Sequence, residues 1–192
     1  MTTDSSDREG MRINKYIAHA GVCSRRDADD LVEQGRVQID GERVEQHGTR
    51  VQEGQTVTVD GEEVYPLEFE YLLLNKPKDT ISTTDDPKGR QTVLDVIGVP
   101  GDNPSGLFPV GRLDRNTTGV LLVSNDGDLA HRLMHPRYEI PKIYYVRLQD
   151  AVKPHQLDQL ERGMELSDGE AAADQVAYLD PQRKTDIALE LH

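Results

Sequence analysis

The spacing of apolar residues changes along the chain, and this change limits the folds that the sequence can adopt. In residues 13–20 and 28–32 the apolar positions recur at intervals of three and four, which is typical of one face of a helix. In residues 37–59 they alternate with polar residues, which is typical of short strands. Both patterns return after residue 70, so we expect an α+β fold of mixed elements.

The ends of the first two helices are also marked in the sequence. Gly21 closes the first helix, and Gly35 follows the second, where glycine is preferred. Ser24 is placed to cap the second helix, and Asp27 stands three residues later in the position of a capping box. These signals predict a helix pair, followed by short strands that are joined at Asp-Gly turns.

Composition divides the chain into four predicted segments. Residues 1–10 are polar and predict a disordered tail, residues 11–61 a small helix-pair and strand domain, and the glutamate-rich residues 62–70 a linker. Residues 71–192 predict a second domain with a mixed sheet. Its expected elements are a buried strand 71–74, helix 92–97, strands 107–110 and 120–123, helix 127–134, strand 143–148, helix 154–163, and strands 173–179 and 187–191.

Several classes of protein do not fit this composition. The longest apolar runs, such as residues 120–123, are far shorter than the ~20 residues that span a bilayer. The first ten residues lack the apolar core of a secretory signal. Cys23 is the only cysteine, so no intramolecular disulfide can form. We therefore expect a cytoplasmic protein without a membrane partner; the sequence leaves its oligomeric state open, with a monomer as the expectation.

The net charge of −13 argues against a nucleic-acid partner, because binding of phosphates needs lysine and arginine. The distribution of charge argues the other way, since basic side chains outnumber acidic ones in residues 111–147. The basic residues of this stretch are Arg112, Arg115, Arg132, Arg137, Lys142 and Arg147. From charge alone, an ordinary acidic surface and an RNA-binding protein both remain open.

Four basic residues gather at the ends of the two N-terminal helices: Arg12, Lys15, Arg25 and Arg26. An arginine pair at a helix N-terminus opposes the helix dipole, which suits a phosphate partner, although such a pair is often only solvated surface. The segment RINKYIAHAGVCSRRDADDLVEQGRVQIDGERV resembles the S4 RNA-binding module. This resemblance implies a compact RNA-binding helix pair with these four residues as its phosphate contacts.

Asp114 is the carboxylate that stands out in the second domain. Arg112 and Arg115 flank it and favour its ionised form, while Gly111 and Gly119 bracket the segment and permit unusual backbone angles. An ionised aspartate on such a loop suits a nucleophile, a metal ligand or a structural ion pair. The residues alone leave these three roles open.

The sequence motif around Asp114 narrows the choice among these three roles. The stretch FPVGRLDRNTTGVLLVSNDGDLAHRLMHP resembles the active-site signature of the pseudouridine synthases, in the branch that acts on small- and large-subunit ribosomal RNA. The stretches YLLLNKPKDTISTTDDPKGRQTVLDVI and HPRYEIPKIYYVRL resemble neighbouring parts of the same catalytic domain. The resemblance therefore implies an S4-like domain followed by a mixed-sheet pseudouridine synthase domain.

The family's reaction breaks the bond between uracil N1 and ribose C1′, rotates the base and rejoins it through C5. By resemblance, Asp114 is the nucleophile, no cofactor or metal is required, and a uridine of structured ribosomal RNA is flipped out of its stack. Arg112 and Arg115 are implied to position phosphates. Tyr144, in the Lys-x-Tyr element, is implied to stack on the uracil and to assist removal of the C5 proton, while Tyr145 alternates to the opposite face.

Three further residues, Asn75, Lys76 and Lys78, are candidates for RNA contact, although a Lys-Pro-Lys turn is equally typical of a solvated loop. His131 and His135 are four residues apart and could share a helix face, but the pair by itself does not predict a metal site.

Two rival interpretations remain. One is a non-catalytic S4-type RNA-binding protein, against which the intact segment 111–114 argues. The other is an inactive fragment of the enzyme, because the resemblance to the family sequence continues without a break to His192. A glycine- and arginine-rich segment that pairs with the aspartate in related enzymes has no match here, so we expect an incomplete C-terminus. A carboxylate-pair glycosidase is disfavoured, since no second acid is suitably placed.

Overall fold

The computed structural model of the protein describes residues 10–167 and 169–192. The chain divides into two compact units, of which the first ends at His131 and the second comprises Arg132–His192. Except for Gly10, the predicted tail at residues 1–10 lies outside the described residues.

The N-terminal part of the first unit is a helix pair packed on small sheets. Its elements are β1 (Met11–Arg12), α1 (Ile13–His19), α2 (Arg25–Glu33), β2 (Val37–Ile39), β3 (Glu42–Arg43), β4 (Arg50–Val51), β5 (Val57–Val59) and β6 (Glu62–Val64). β1 pairs with β4, and the other strands form an antiparallel sheet in the order β3-β2-β5-β6. Ile13, Ile17 and Val37 are fully buried in one core between helices and strands.

Local capping determines where α2 begins. The Ser24 side chain accepts a hydrogen bond from the backbone N–H of Asp27 at 3.3 Å, and its hydroxyl donates to the Asp27 carboxylate at 2.8 Å. These contacts satisfy an N–H group that has no partner within the helix. The predicted cap is therefore confirmed.

The structure differs from the predicted linker at its first three residues. Glu62–Val64 form β6, which pairs with β5 because residues 60–61 make a tight turn with Asp60 at a φ of 53°. The sheet therefore continues past the predicted domain boundary at residue 61.

The remainder of the first unit is a three-stranded antiparallel sheet with two helices. Its elements are β7 (Tyr71–Lys76), α3 (Val93–Ile97), β8 (Phe108–Val110), β9 (Gly119–Ser124) and α4 (Gly127–Met134), whose last three residues belong to the second unit. The strand order is β7-β9-β8, and Leu94, Leu107 and Val123 form the buried core beneath the sheet.

β7 is fully buried only at Lys76, and even Leu72 on the inner face is 37% exposed, so the prediction of a buried strand over residues 71–74 is corrected. Tyr71 and Leu73 point to the outer face and are 52% and 73% exposed, whereas Lys76 on the inner face is completely buried. The continuous apolar run suggested burial on both faces, but strand alternation sends every second side chain outward.

The second unit contains a three-stranded antiparallel sheet in the order β10-β14-β13. Its elements are a 3₁₀ turn (Pro136–Tyr138), β10 (Lys142–Arg147), α5 (Pro154–Arg162), β11 (Met164–Leu166), β12 (Gly169–Ala171), β13 (Gln175–Asp180) and β14 (Arg183–Leu191). α5 packs against β13, and β11 pairs with β12 in a hairpin that the sequence did not predict.

Helices and strands occur in both units, so the predicted α+β class is confirmed. Within residues 10–167 and 169–192, no helix is both long and apolar enough to cross a membrane.

The cap of α2 gives a direct test of the N-terminal part. Ser24→Ala should lower the free energy of unfolding by about 1 kcal/mol, because the Asp27 N–H loses its acceptor. Ser24→Thr keeps the hydroxyl and serves as the control. Urea denaturation followed by circular dichroism measures both variants, and equal losses would contradict the capping role.

Candidate active site

The segment between β8 and β9 carries Asp114 on a tight loop. The backbone N–H of Thr117 donates to the carbonyl oxygen of Asp114 at 3.0 Å and closes a four-residue turn. Gly111 and Gly119 bracket the loop at φ values of +87° and +135°, angles that L side chains rarely adopt. The expectation that these glycines permit unusual backbone angles is confirmed.

A buried lysine holds this turn from below. The Nζ atom of Lys76 donates to the carbonyl oxygens of Asp114 and Thr117, both at 2.9 Å, and also lies 3.2 Å from that of Arg115 and 3.2 Å from that of Pro77. Burial lowers the pKa of Lys76, and the nearby Asp114 carboxylate opposes that shift. The ammonium of Lys76 therefore fixes the backbone of the loop and is not available to contact RNA, which corrects its candidacy as an RNA contact.

Two buried hydroxyl residues hold the loop from the side. The Ser82 hydroxyl donates to the carbonyl oxygen of Leu113 at 2.8 Å and accepts from the N–H of the same residue at 3.1 Å. The backbone N–H of Thr80 donates to the carbonyl oxygen of Arg115 at 3.2 Å. Thr80 is fully buried and Ser82 is 6% exposed, so these bonds are protected from competition with water.

In contrast to its backbone, the side chain of Asp114 is exposed. Among the residues that the structure describes, none forms a hydrogen bond or an ion pair with its carboxylate. A structural ion pair, one of the three roles open from the sequence, is therefore not formed within this part of the chain. The arrangement combines a fixed backbone with an accessible carboxylate, which suits a nucleophile.

The two arginines that flank Asp114 differ in their surroundings. Nε of Arg115 donates to the Asp79 carboxylate at 2.5 Å, and the two side chains form an ion pair. Arg115 is thus engaged by a residue 36 positions earlier rather than by its neighbour Asp114. Arg112 is exposed on the same loop.

Tyr144 lies in the second unit, on β10. It is half-buried and stands opposite Leu189 of β14, on the same sheet face as the fully buried Ile187. Tyr145 points to the other face and is 74% exposed. The predicted alternation of the two tyrosines is confirmed, while the role of Tyr144 stays a prediction.

Four of the basic residues predicted to contact RNA lie at the helix pair. Arg25 and Arg26 are the first two residues of α2 and are exposed, as is Arg12 immediately before α1. A guanidinium nitrogen of Arg25 lies 3.5 Å from the Asn14 side-chain oxygen, which brings the start of α2 next to α1.

Lys15 differs from the other three. Its Nζ atom forms an ion pair with Asp128 of α4 at 2.6 Å. This contact joins the helix pair to the part of the first unit that carries Asp114, and it was not predicted.

The described residues contain no group of three or more side chains placed to hold a metal ion.

The role of Lys76 was also missed, although the sequence held a signal for it. Leu72, Leu74 and Lys76 share one strand face by alternation, opposite the buried Leu121 and Val123. A lysine in register with a buried apolar face needs acceptors inside the protein. The apolar run alone did not reveal those acceptors, since they are contributed by a loop about forty residues away.

Comparison with known proteins gives consistent matches to both parts of the chain. The model of the RNA pseudouridylate synthase family matches residues 70–187, and that of the S4 domain matches residues 11–57. An uncharacterized RNA pseudouridine synthase of Aquifex aeolicus is 43% identical over 179 residues, which cover 92% of this chain and 71% of the relative. The ribosomal large subunit pseudouridine synthase B of Bacillus subtilis is 39% identical over 178 residues, which cover 93% of this chain and 72% of the relative.

A solved structure matches as well. The crystal structure of a pseudouridylate synthase superimposes with a TM-score of 0.59 and 26% sequence identity, covering 95% of this chain and 77% of that one.

The role of Lys76 in fixing the backbone of the Asp114 loop can be tested by removing its charge. Lys76→Met should lower the free energy of unfolding by at least the ~1–3 kcal/mol that one buried carbonyl without a partner costs. The amide of Thr117 should also exchange its hydrogen faster. Lys78→Met removes an exposed lysine two residues later and serves as the control. Native-state hydrogen exchange and urea denaturation measure both effects, and matching behaviour of the two variants would rule out this role.

Proposed function

We propose, from the premise that this chain belongs to the RNA pseudouridylate synthase family, that its catalytic site is built on Asp114 and that its substrate is ribosomal RNA. Membership of the family makes the chain an isomerase that acts on uridine in RNA, and its S4 domain makes RNA its partner. One observation carries the proposal for Asp114: its exposed carboxylate forms no hydrogen bond or ion pair among the described residues and lies on a loop fixed by buried side chains.

The proposed reaction needs no cofactor, because the carboxylate supplies the covalent step. Asp114 forms a bond either to ribose C1′ or to the uracil ring, and the N1–C1′ bond breaks. The base then rotates and C5 bonds to C1′, while the bond to Asp114 breaks and restores the free carboxylate. The C5 proton leaves and N1 gains a proton. The product has the same composition as the substrate.

Fixing the loop backbone has a direct catalytic benefit in this scheme. A nucleophile must be held at about 3–3.5 Å from the atom that it attacks, and small misplacements are costly. Lys76, Thr80 and Ser82 all bind main-chain atoms of the loop, so they restrain its backbone while leaving the carboxylate free to react.

The target uridine is proposed to flip out of its stack, because the glycosidic bond of a stacked base cannot be reached by a loop carboxylate. Arg112, which is exposed on the same loop, is proposed to hold a neighbouring phosphate. Arg115 has the same proposed role, and a phosphate would then replace or join Asp79 as its partner. Tyr144 is proposed, on the family pattern, to stack on the uracil and to assist removal of the C5 proton.

Ribosomal RNA is the proposed substrate because the Bacillus subtilis relative is a ribosomal large subunit pseudouridine synthase. Arg12, Arg25 and Arg26 supply the exposed cations of the helix pair, where the start of α2 also presents backbone N–H groups. Lys15 remains a proposed contact, and its ammonium group forms an ion pair with Asp128.

Replacing the nucleophile tests the catalytic assignment. Asp114→Asn should slow isomerisation by about 10⁴-fold or more, since the amide is isosteric but cannot form the covalent bond. RNA affinity should stay near that of the parent. Asp85→Asn removes an exposed carboxylate of equal charge and serves as the control. Pseudouridine in ribosomal RNA is mapped by reverse-transcription stops after carbodiimide treatment, and Asp114→Asn turnover within about tenfold of the parent would exclude Asp114.

Salt dependence tests the helix-pair cations. Replacing Arg25 and Arg26 together by alanine should weaken RNA binding and flatten the plot of log affinity against log salt by one to two units, about 0.7–0.9 for each phosphate that is no longer neutralised. Arg162→Ala with Arg183→Ala removes the same charge from the second unit as the control. An unchanged slope in a salt titration would make Arg25 and Arg26 ordinary surface residues.

A further inference from the structure

The segment predicted as a linker is attached to the residues around it at several points. Val64 accepts a hydrogen bond through its carbonyl from the Tyr16 hydroxyl at 3.2 Å, and the Leu67 N–H donates to the carbonyl oxygen of His19 at 3.1 Å. The Phe69 ring stacks on the His19 ring with centroids 4.6 Å apart and planes 14° apart. A segment with these contacts has little freedom to let the two parts that it joins move independently.

A close backbone approach holds the other side of the same junction. Gly21, just after α1, has a φ of +74°, and a Cβ atom built there would lie 2.5 Å from the carbonyl oxygen of Pro104 and 3.0 Å from a methyl carbon of Leu67. Only a residue without a side chain permits this approach, because a Cβ atom cannot come so near to a backbone oxygen. The end of α1 is thereby packed against the loop that precedes β8.

Asn125 connects this junction to the sheet that carries the Asp114 loop. Its side-chain oxygen accepts from the N–H of Glu70 at 2.8 Å, and its amide nitrogen donates to the carbonyl oxygens of Glu68 at 2.9 Å and Ser105 at 3.1 Å. Asn125 is 7% exposed and directly follows β9, the strand that begins at the end of the Asp114 loop. The side chain of Asn125, at the end of β9, therefore binds both the linker and the loop that precedes β8.

We infer that the junction at Gly21 holds the RNA-binding helix pair in a fixed position relative to the Asp114 loop, and that Gly21 is a positioning residue that determines which uridine of a structured RNA reaches Asp114. This inference rests on the proposed function. Because the helix pair and the loop belong to one packed body, an RNA bound by Arg25 and Arg26 presents to Asp114 only the nucleotides at one spacing and angle.

The ion pair between Lys15 and Asp128 crosses the same junction. Its side chains are 30% and 62% exposed, so it contributes less than the buried contacts. It nevertheless offers a second place at which the junction can be perturbed without touching Gly21.

The test compares Gly21→Ala with Gly41→Ala. Both glycines have strained angles for alanine, with φ values of +74° and +83°, but a Cβ atom at Gly41 meets nothing within 4 Å. The difference between the variants therefore isolates the contact with Pro104 from backbone strain. The exchange rate of the Leu67 amide reports the junction itself, because its hydrogen bond to His19 crosses it.

We expect Leu67 to exchange about tenfold faster in Gly21→Ala than in Gly41→Ala. Single-turnover isomerisation of long structured ribosomal RNA should fall about 10–100-fold, the scale expected for a misplaced reacting group, with new pseudouridines at other positions. A short hairpin that carries the same uridine and contacts only the Asp114 region should react at the parent rate. Equal losses on both RNAs, or no loss on either, would overturn the inference.

Hydroxyl-radical footprinting of the bound ribosomal RNA gives a readout that does not depend on catalysis. The parent and Gly41→Ala should protect the same nucleotides, and Gly21→Ala a broader set. An identical footprint for all three overturns the positioning role, whether or not any uridine is isomerised. A changed footprint with no isomerisation by the parent supports the positioning role and contradicts the proposed function alone.

Asp128→Lys provides a second variant in case Gly21→Ala does not fold. It places two ammonium groups at the junction and should speed Leu67 exchange and broaden the footprint in the same direction, by a smaller factor. Leu67 exchange and a footprint identical to those of the parent would again overturn the inference.

Discussion

Four backbone carbonyls converge on the ammonium of Lys76, and the position of the Asp114 loop depends on that convergence. Burying a charge is costly unless its donors are satisfied, and here carbonyl oxygens, rather than a carboxylate, satisfy them. Three of the four acceptors, those of Asp114, Arg115 and Thr117, belong to a turn that has no regular secondary structure of its own. Lys76 therefore replaces the hydrogen bonds that a helix or strand would have given that turn.

This arrangement separates the task of holding the loop from the task of reacting. The groups that hold it are buried and bind only main-chain atoms, as the hydroxyl of Ser82 does with Leu113. The side chains of Asp114 and Arg112 point outward from the same backbone. A substrate can therefore displace water and counter-ions around the reactive groups without disturbing the bonds that position them.

Features set by neighbouring residues could be predicted from the sequence, and features set by distant ones could not. Ser24 was identified as the cap of α2 because its side chain and the Asp27 N–H from which it accepts lie only three residues apart. The pairing of Arg115 with Asp79 joins residues 36 apart, and the sequence offered only Asp114 as an adjacent partner. The burial of Lys76 and the exposure of Leu73 likewise depend on what covers each sheet face, which alternation alone does not specify. Asp114 itself was identified because its segment resembles a family motif, and not from the spacing of apolar or charged residues.

The attachment of residues 64–70 has a consequence for protein engineering. Linkers usually tolerate inserted residues at little cost, which makes them convenient joints for exchanging domains. Here an insertion between Val64 and Phe69 would have to shift the hydrogen bond of Leu67 or the stack on His19. In a chimaera joined within this segment, the RNA-binding helix pair and the Asp114 loop would no longer be held in their present relative position. An exchange that keeps this position must transfer α1, the segment through Glu70 and the loop around Pro104 together.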